Sequence, residues 1–366
     1  MDVMQVSTTT LTIRNLRAVG VEVPMTCALG TSRGSITKAP LILIDVETDE
    51  GVTGRSYLFC YIRAAAPAIA SILNEVLQVT QRDRIAPVDL WQKLGKRFAL
   101  IGVQGIVRMA MAGFDVACWD ALAIAAGLPL ARLLGADPKP IPAYNSCGLG
   151  LMAPEAVADE AEKLAQGFRA VKLRLGYPTL KDDLTALHAV RRRLPDVTIM
   201  VDYNQALTVA QALKRGRALD QEGIYWLEEP IRHDDYRGAA ALARELKIPI
   251  QIGENFSEVT AMAAALAAGA ADYVMPDLER IGGVTGWQRA AALAHARGIE
   301  MSSHLFPEVS AHLLAATPTS HWLEWVDWAE AILEEPLPIT DGCAIAPDRP
   351  GNGLTWNAQA VERYRM

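Results

Sequence analysis

Three carboxylates close three short apolar runs at equal spacing. Asp202 ends TIMVD, Glu228 ends YWLE and Glu254 ends IPIQIGE, with 26 residues from each to the next. That interval is the length of one strand, one helix and their connections, so the pattern reads as consecutive βα units of a parallel barrel. The C-terminal ends of such strands converge on one face, where residues far apart in sequence meet around one hard cation. Asp and Glu are only 42 of the 366 residues, so three acids at three equivalent positions are not ordinary surface scatter.

The unit recurs on both sides of the triad. PIPAYNS, AVKLRLG, TIMVDYN, YWLEEP, IPIQIGEN, DYVMPD, EMSSHLF and HWLEWV read as eight strands. Between them lie Ala-rich segments such as EAVADEAEKLAQGF and VTGWQRAAALAHARG, with helical apolar spacing and frequent terminal Gly. A (β/α) barrel is expected over 137–328. Upstream, LTIRNLRAVGVEV, APLILIDVETDEG and VTGRSYLF read as strands, and the segment from Ala64 to Leu134 reads as helices. Strands followed by a block of helices describe an α+β domain over 1–136. Between the first two strands, TCALGTSRGSITK has no period and is expected to be an irregular loop. Residues 329–366 carry no clear helical pattern and are expected to pack back on the first domain.

The composition excludes several classes of function. A net charge of −7 without a basic cluster argues against a nucleic-acid partner. Met109–Leu130 is the most apolar long stretch, but it contains Asp115 and Asp120 and reads as a buried helix, not a membrane span. The N-terminus has no secretory pattern. Five scattered cysteines without a CxxC pair fit free thiols in a reducing cytoplasm.

The eight runs end in Ser146, Lys172 with Arg174, Asp202, Glu228, Glu254, Asp277, His304 and Glu324. Three carboxylates suit Mg²⁺, which takes oxygen ligands. Zinc is disfavoured, because only His304 has a comparable strand position and no cysteine accompanies it. Lys172 and Arg174 are two apart on one strand and therefore face the same side. His304 acquires meaning from Asp277, since a neighbouring carboxylate can hold one imidazole nitrogen and leave the other for proton transfer.

Taken in order, VKLRLG, MVDYNQ, WLEEP, IGEN, MPDLERIGGVTGW, SSHLF and HWLE resemble the enolase superfamily, in its mandelate racemase branch. The resemblance implies a modified TIM barrel, (β/α)7β, with an N-terminal α+β capping domain whose mobile loop closes the site. It implies Asp202, Glu228 and Glu254 as Mg²⁺ ligands and Lys172 as a partner of the substrate carboxylate. Glu324 would donate to the developing charge, Asn204 and Ser146 would make polar contacts, and His304, oriented by Asp277, would be the base. Loop counting places Leu29, Arg33 and Ile36 where the branch presents three valines to an aromatic ring; Phe59, Tyr61, Leu305 and Val326 complete the expected lining. Homo-oligomerisation, often octameric, is also implied.

Arg174 departs from the pattern, which has a second lysine base there. Neutralising an unperturbed guanidinium at pH 7 costs roughly 7.5 kcal/mol, about 3 kcal/mol more than a lysine. The expected activity is Mg²⁺-dependent abstraction of the α-proton of a small-molecule 2-hydroxy carboxylate through an enediolate, as a racemase or epimerase. The alternatives are an acid-sugar dehydratase using His304 alone and a catalytically vestigial carboxylate-binding protein.

Overall fold

A computed structural model describes residues 10–32 and 34–366. Eight parallel strands form the barrel: β4 (Ile141–Asn145), β5 (Ala170–Arg174), β6 (Thr198–Asp202), β7 (Leu227–Glu228), β8 (Ile250–Ile252), β9 (Tyr273–Val274), β10 (Glu300–Met301) and β11 (Leu323–Trp325). They neighbour one another in sequence order, and β11 pairs with β4. Bonds from Ser303 N to Trp322 O (3.0 Å) and from Met301 N to Thr319 O (2.8 Å) close the remaining seam. A helix follows each of the first seven strands, from Pro154–Leu164 to Pro307–Ala315, whereas β11 leads into a short 3-10 turn. The architecture is therefore (β/α)7β.

Side-chain alternation decides which residues enter the barrel. On β5, Val171 and Leu173 join the core against the helices. Ala170 packs instead with Tyr144, Met200 and Trp226 in a separate cluster. That cluster is an aromatic plug, with Tyr144 and Trp226 edge-to-face at 5.5 Å. Two residues further along these strands come Ser146, Lys172, Asp202 and Glu228, so the plug is the floor beneath the polar mouth.

The cap is a three-stranded antiparallel sheet of β1 (Ile13–Thr31), β2 (Gly34–Thr48) and β3 (Thr53–Phe59). Helices α1 (Ala65–Thr80), α2 (Pro87–Phe98) and α3 (Ile106–Ala125) follow it. The expected loop at 26–38 is instead a continuation of the sheet: β1 and β2 run on as a hairpin, with a register shift between Pro24 and Leu29. Both faces of this extension are partly exposed, so its sequence lacks the apolar alternation that marks a strand. The tail also departs from expectation, because Ala358–Tyr364 is a helix, capped by Asn357 accepting from Ala360 N at 3.0 Å. It fully buries no residue, and only Ala360, Val361 and Tyr364 pack half-buried against the core, a stripe too short to announce a helix. Tail residues bond to the cap, with Trp356 Nε1 donating to Asp45 at 2.7 Å and Asn352 Nδ2 to Arg55 O at 2.8 Å. The tail also adds β12 (Ile339–Thr340) and β13 (Cys343–Ala344), the latter antiparallel to β4.

α3 lies close against the sheet through two glycines. A Cβ on Gly54 would stand 1.9 Å from Ala117 O, whereas one on Gly113 would meet the Ile44 Cδ1 tip at 2.5 Å. Backbone cannot retreat as a side-chain tip can. Gly54→Ala is expected to cost about 3 kcal/mol or more. Gly113→Ala should cost less, because helix propensity returns about 1 kcal/mol. Urea-denaturation midpoints of the two variants check this order.

Candidate active site

The mouth of the barrel holds a cavity of about 200 Å³. The ligand atoms of Asp202, Glu228 and Glu254 lie within 4.8 Å of one another. Each is held by a neighbour. Asn204, at φ 44°, donates from its backbone N (2.7 Å) and Nδ2 (2.8 Å) to Asp202. Trp226 Nε1 donates to Glu228 at 3.1 Å, and Asn255 Nδ2 donates to Glu254 at 3.0 Å. Burial and then the neighbouring carboxylates push Glu228 up to about 8, against the pull of Lys172, and burial raises Asp202 likewise. A buried, mutually repelling set of hard oxygen donors fits a divalent cation such as Mg²⁺.

Lys172 is the pivot between this triad and the opposite wall. Its Nζ stands 2.7 Å from Glu228, 2.7 Å from Glu324 and 3.6 Å from Asp202. Burial disfavours its charge, but the surrounding carboxylates outweigh that and raise its pKa. Glu324 accepts from Lys172, from Ser146 Oγ at 2.7 Å and from Leu305 N at 2.9 Å. Although burial works against ionisation, Lys172 and His304 hold Glu324 well below the usual carboxylate range. In this geometry it is an ionised acceptor.

Asp277 divides its two oxygens between two tasks. Oδ1 accepts from Glu279 N (2.9 Å) and Arg280 N (3.1 Å), capping the turn that follows. Oδ2 lies 2.6 Å from His304 Nδ1. With Nδ1–H committed to Asp277, Nε2 is the working nitrogen, 3.4 Å from Glu254 and 3.8 Å from Glu324. Burial opposes the imidazolium, yet Glu324, Glu254 and Asp277 push His304 up to about 9.

Arg174 is buried, and both of its terminal nitrogens are bonded to the loop after β4, while Nε has no partner among the described residues. Nη1 donates to Gly148 O at 2.7 Å, and Nη2 donates to Ser146 O at 3.1 Å and Ser146 Oγ at 3.2 Å.

Residues 156–360 match the family described as "Enolase C-terminal domain-like", and residues 13–135 match "Mandelate racemase / muconate lactonizing enzyme, N-terminal domain". The chain belongs to the mandelate racemase / muconate lactonizing enzyme family of the enolase superfamily. Among curated relatives, a 3,6-anhydro-alpha-L-galactonate cycloisomerase of Streptomyces coelicolor is 33% identical, over 97% of this chain and 99% of its own. An L-talarate/galactarate dehydratase of Salmonella typhimurium is 32% identical, over 89% of this chain and 82% of its own. The crystal structure of a Bradyrhizobium enolase with magnesium and mandelic acid superposes with a TM-score of 0.93 at 42% identity, covering 98% of this chain and 99% of that one.

Within this family member, the cavity gathers most of the residues expected from the sequence. Leu29, Ile36, Phe59, Tyr61, Ser146, Lys172, Arg174, Asp202, Asn204, Glu254, His304, Leu305 and Glu324 line it. Glu228 lies beneath Lys172, and Asp277 lies behind His304. Val326 is a correction: it is buried in the core and does not line the cavity. β11 ends at Trp325, so alternation no longer decides direction there, and Trp328 takes the wall, its ring tilted 46° against Phe59 with centroids 4.7 Å apart. Arg33 lies outside the described residues. Thr31, Gln205 and Trp328 also line the cavity without having been anticipated. So too was the brace behind the triad missed, where Asn255 donates to Glu229 at 2.9 Å and Arg280 Nη1 donates to Asn255 Oδ1 at 2.6 Å. The polar pairs in LEEP, GEN and DLER carried that signal.

The imidazole yields a pH prediction for the metal-free protein. Its folded pKa of about 9 lies above the unfolded value near 6.5, so its contribution is complete below about 6.5 and is lost as pH rises through about 9. The loss amounts to about 3 kcal/mol. Glu254→Gln removes one of the charges that raise the pKa, so NMR titration of His304 should show a lower value and the stability–pH profile should flatten.

Proposed function

We propose that this protein is a Mg²⁺-dependent enzyme that abstracts the α-proton of a 2-hydroxy carboxylate, with His304 as the base. One observation carries the reading: the Asp277-oriented His304 presents Nε2 to the cavity that Lys172, Asp202 and Glu254 line, with Glu228 completing the triad beneath Lys172. The Bradyrhizobium relative crystallised with magnesium and mandelic acid supports both the metal and the substrate class. Asp202, Glu228 and Glu254 would hold the Mg²⁺, which when bound supplies positive charge to the substrate carboxylate.

The residues account for the rest. Lys172 turns its ammonium from Glu324 toward the incoming carboxylate. Pairing of Glu254 with a cation would withdraw one of the charges that favour the imidazolium; neutral His304 Nε2 then takes the α-proton, and the C–H electron pair moves into the enediolate. Lys172 faces the charge that this creates. Proton donation by Glu324 depends on the same turn of Lys172, which removes the charge that keeps Glu324 ionised.

Racemisation and dehydration share this first step, and the relatives favour neither over the other. The apolar side of the cavity, formed by Leu29, Ile36, Phe59, Leu305 and Trp328, favours a substrate with few distal hydroxyls, since each buried hydroxyl without a partner costs about 1–3 kcal/mol. Arg174 favours the one-base alternative, dehydration, because its nitrogens bond to carbonyls and a guanidinium is a poor base. The proposal extends to a homo-oligomer, octameric by resemblance. The fully exposed Leu100 and the 69%-exposed Ile101 support a subunit contact. A cytoplasmic location is supported by five free cysteines; among the described residues, no helix is long and apolar enough to cross a membrane.

The test is isotope exchange. Single enantiomers of aryl and sugar 2-hydroxy acids are incubated in heavy water with Mg²⁺. Deuterium uptake at the α-carbon is expected for one enantiomer, falling by about 10²–10⁴-fold in His304→Asn. Release of a 2-keto-3-deoxy acid identifies dehydration, and inversion identifies racemisation. Uptake that persists in His304→Asn would sink the assignment of the base.

A further inference from the structure

We propose that Arg174 is a positioning residue that fixes the loop after β4 and, through that loop, the seat of the β1–β2 hairpin over the cavity. The inference rests on reading this cavity as the substrate site. Arg174 ties down three nearby peptide units: its guanidinium bonds Ser146 O and Gly148 O, and its backbone N donates to Leu149 O at 3.0 Å. Gly148 and Leu149 both have positive φ, 54° and 48°, and for leucine that conformation is costly unless its surroundings hold it. Glu160 supplies another restraint, accepting from Leu149 N at 2.6 Å.

The braced loop is where the hairpin rests. Leu151 N donates to Gly30 O at 3.3 Å. The two backbones approach so closely that a Cβ on Gly150 would stand 2.4 Å from Gly30 O and 2.8 Å from Gly30 Cα. A Cβ on Gly148 would stand 2.8 Å from Cys27 Cβ, so a second hairpin residue lies against the same loop. The seated hairpin delivers Leu29, Thr31 and Ile36 to the cavity wall. Beyond the register shift, among the described residues, only Leu29–Ile36, Gly30–Ser35 and Thr31–Gly34 pair across it. A two-stranded ribbon this short is marginal without support, so its position depends on the loop beneath.

The chemistry of the side chain fits this role. A guanidinium reaches two carbonyls with separate nitrogens in a rigid fork, whereas an ammonium radiates its donors from one atom. Arg174 Nη2 also donates to Ser146 Oγ, which leaves the hydroxyl proton for Glu324, 2.7 Å away. The brace that seats the hairpin therefore also orients a polar group of the cavity wall.

Hydrogen–deuterium exchange of the full-length, Mg²⁺-loaded protein, followed by mass spectrometry without substrate, tests the proposal. Arg174→Lys is expected to accelerate exchange at least tenfold across 24–38 and at Leu151, leaving 53–59 and 198–204 unchanged. Gly150→Ala leaves the guanidinium intact and obstructs the seat directly. It should reproduce that local pattern and raise KM about tenfold, with kcat within threefold. Unchanged exchange over 24–38 in Arg174→Lys would overturn the proposal, as would uniform acceleration along the chain. Because the exchange readout needs no turnover, an inactive protein with the expected local pattern would contradict the proposed function alone.

Discussion

The molecule depends on the balance of charge around Lys172. Four carboxylates, Asp202, Glu228, Glu254 and Glu324, are drawn into the barrel mouth by strands that end there. Such a group, buried and unpaired, would unfold the site or take up protons. The Lys172 ammonium touches two of these carboxylates and lies near a third, linking the triad to the opposite wall. His304, with its raised pKa, adds a second positive charge on the far side of Glu254. A divalent cation held by Asp202, Glu228 and Glu254 would relieve the remaining repulsion and leave Lys172 for a substrate anion. Stability and function are thus two uses of one electrostatic arrangement.

The barrel alone leaves this arrangement open to water. The cap closes it with Phe59 and Tyr61, whose rings lie 4.5 Å apart, and with the hairpin residues Leu29 and Ile36. The cap is tied to the barrel by buried polar contacts: Tyr57 OH donates to Glu308 at 2.7 Å, and Phe59 N donates to Glu279 at 3.2 Å. Phe59 therefore meets the cavity with its ring while its backbone is anchored to the barrel. An enclosed apolar wall strengthens the polar interactions beside it, because fewer waters screen them.

Much of this was legible in the sequence because strand period and strand ends are local signals. Asp202, Glu228 and Glu254 could be read from their positions after apolar runs. Lys172 and Arg174 followed from two-residue alternation, and the pairing of Asp277 with His304 from consecutive strand ends. The losses occurred where tertiary contacts decide local form. The hairpin at 27–36 is a strand pair held by its partner loop, with no apolar period of its own. Val326 follows the alternation of β11, but the strand has ended, and Trp328 wins the wall by packing on Phe59. The helix Ala358–Tyr364 has a side-chain cap and packs only Ala360, Val361 and Tyr364 half-buried against the core, too short a hydrophobic pattern to mark it. The carbonyl partners of Arg174 belong to a loop whose fold no short motif records.

The central claim is that three carboxylates form one divalent-cation site. Its most direct test is an electron paramagnetic resonance titration with Mn²⁺, which shares the oxygen preference of Mg²⁺. The account predicts one site per chain, displaced by Mg²⁺ and weakened at least tenfold in each of Asp202→Asn, Glu228→Gln and Glu254→Gln. Unchanged Mn²⁺ affinity in all three variants would contradict it.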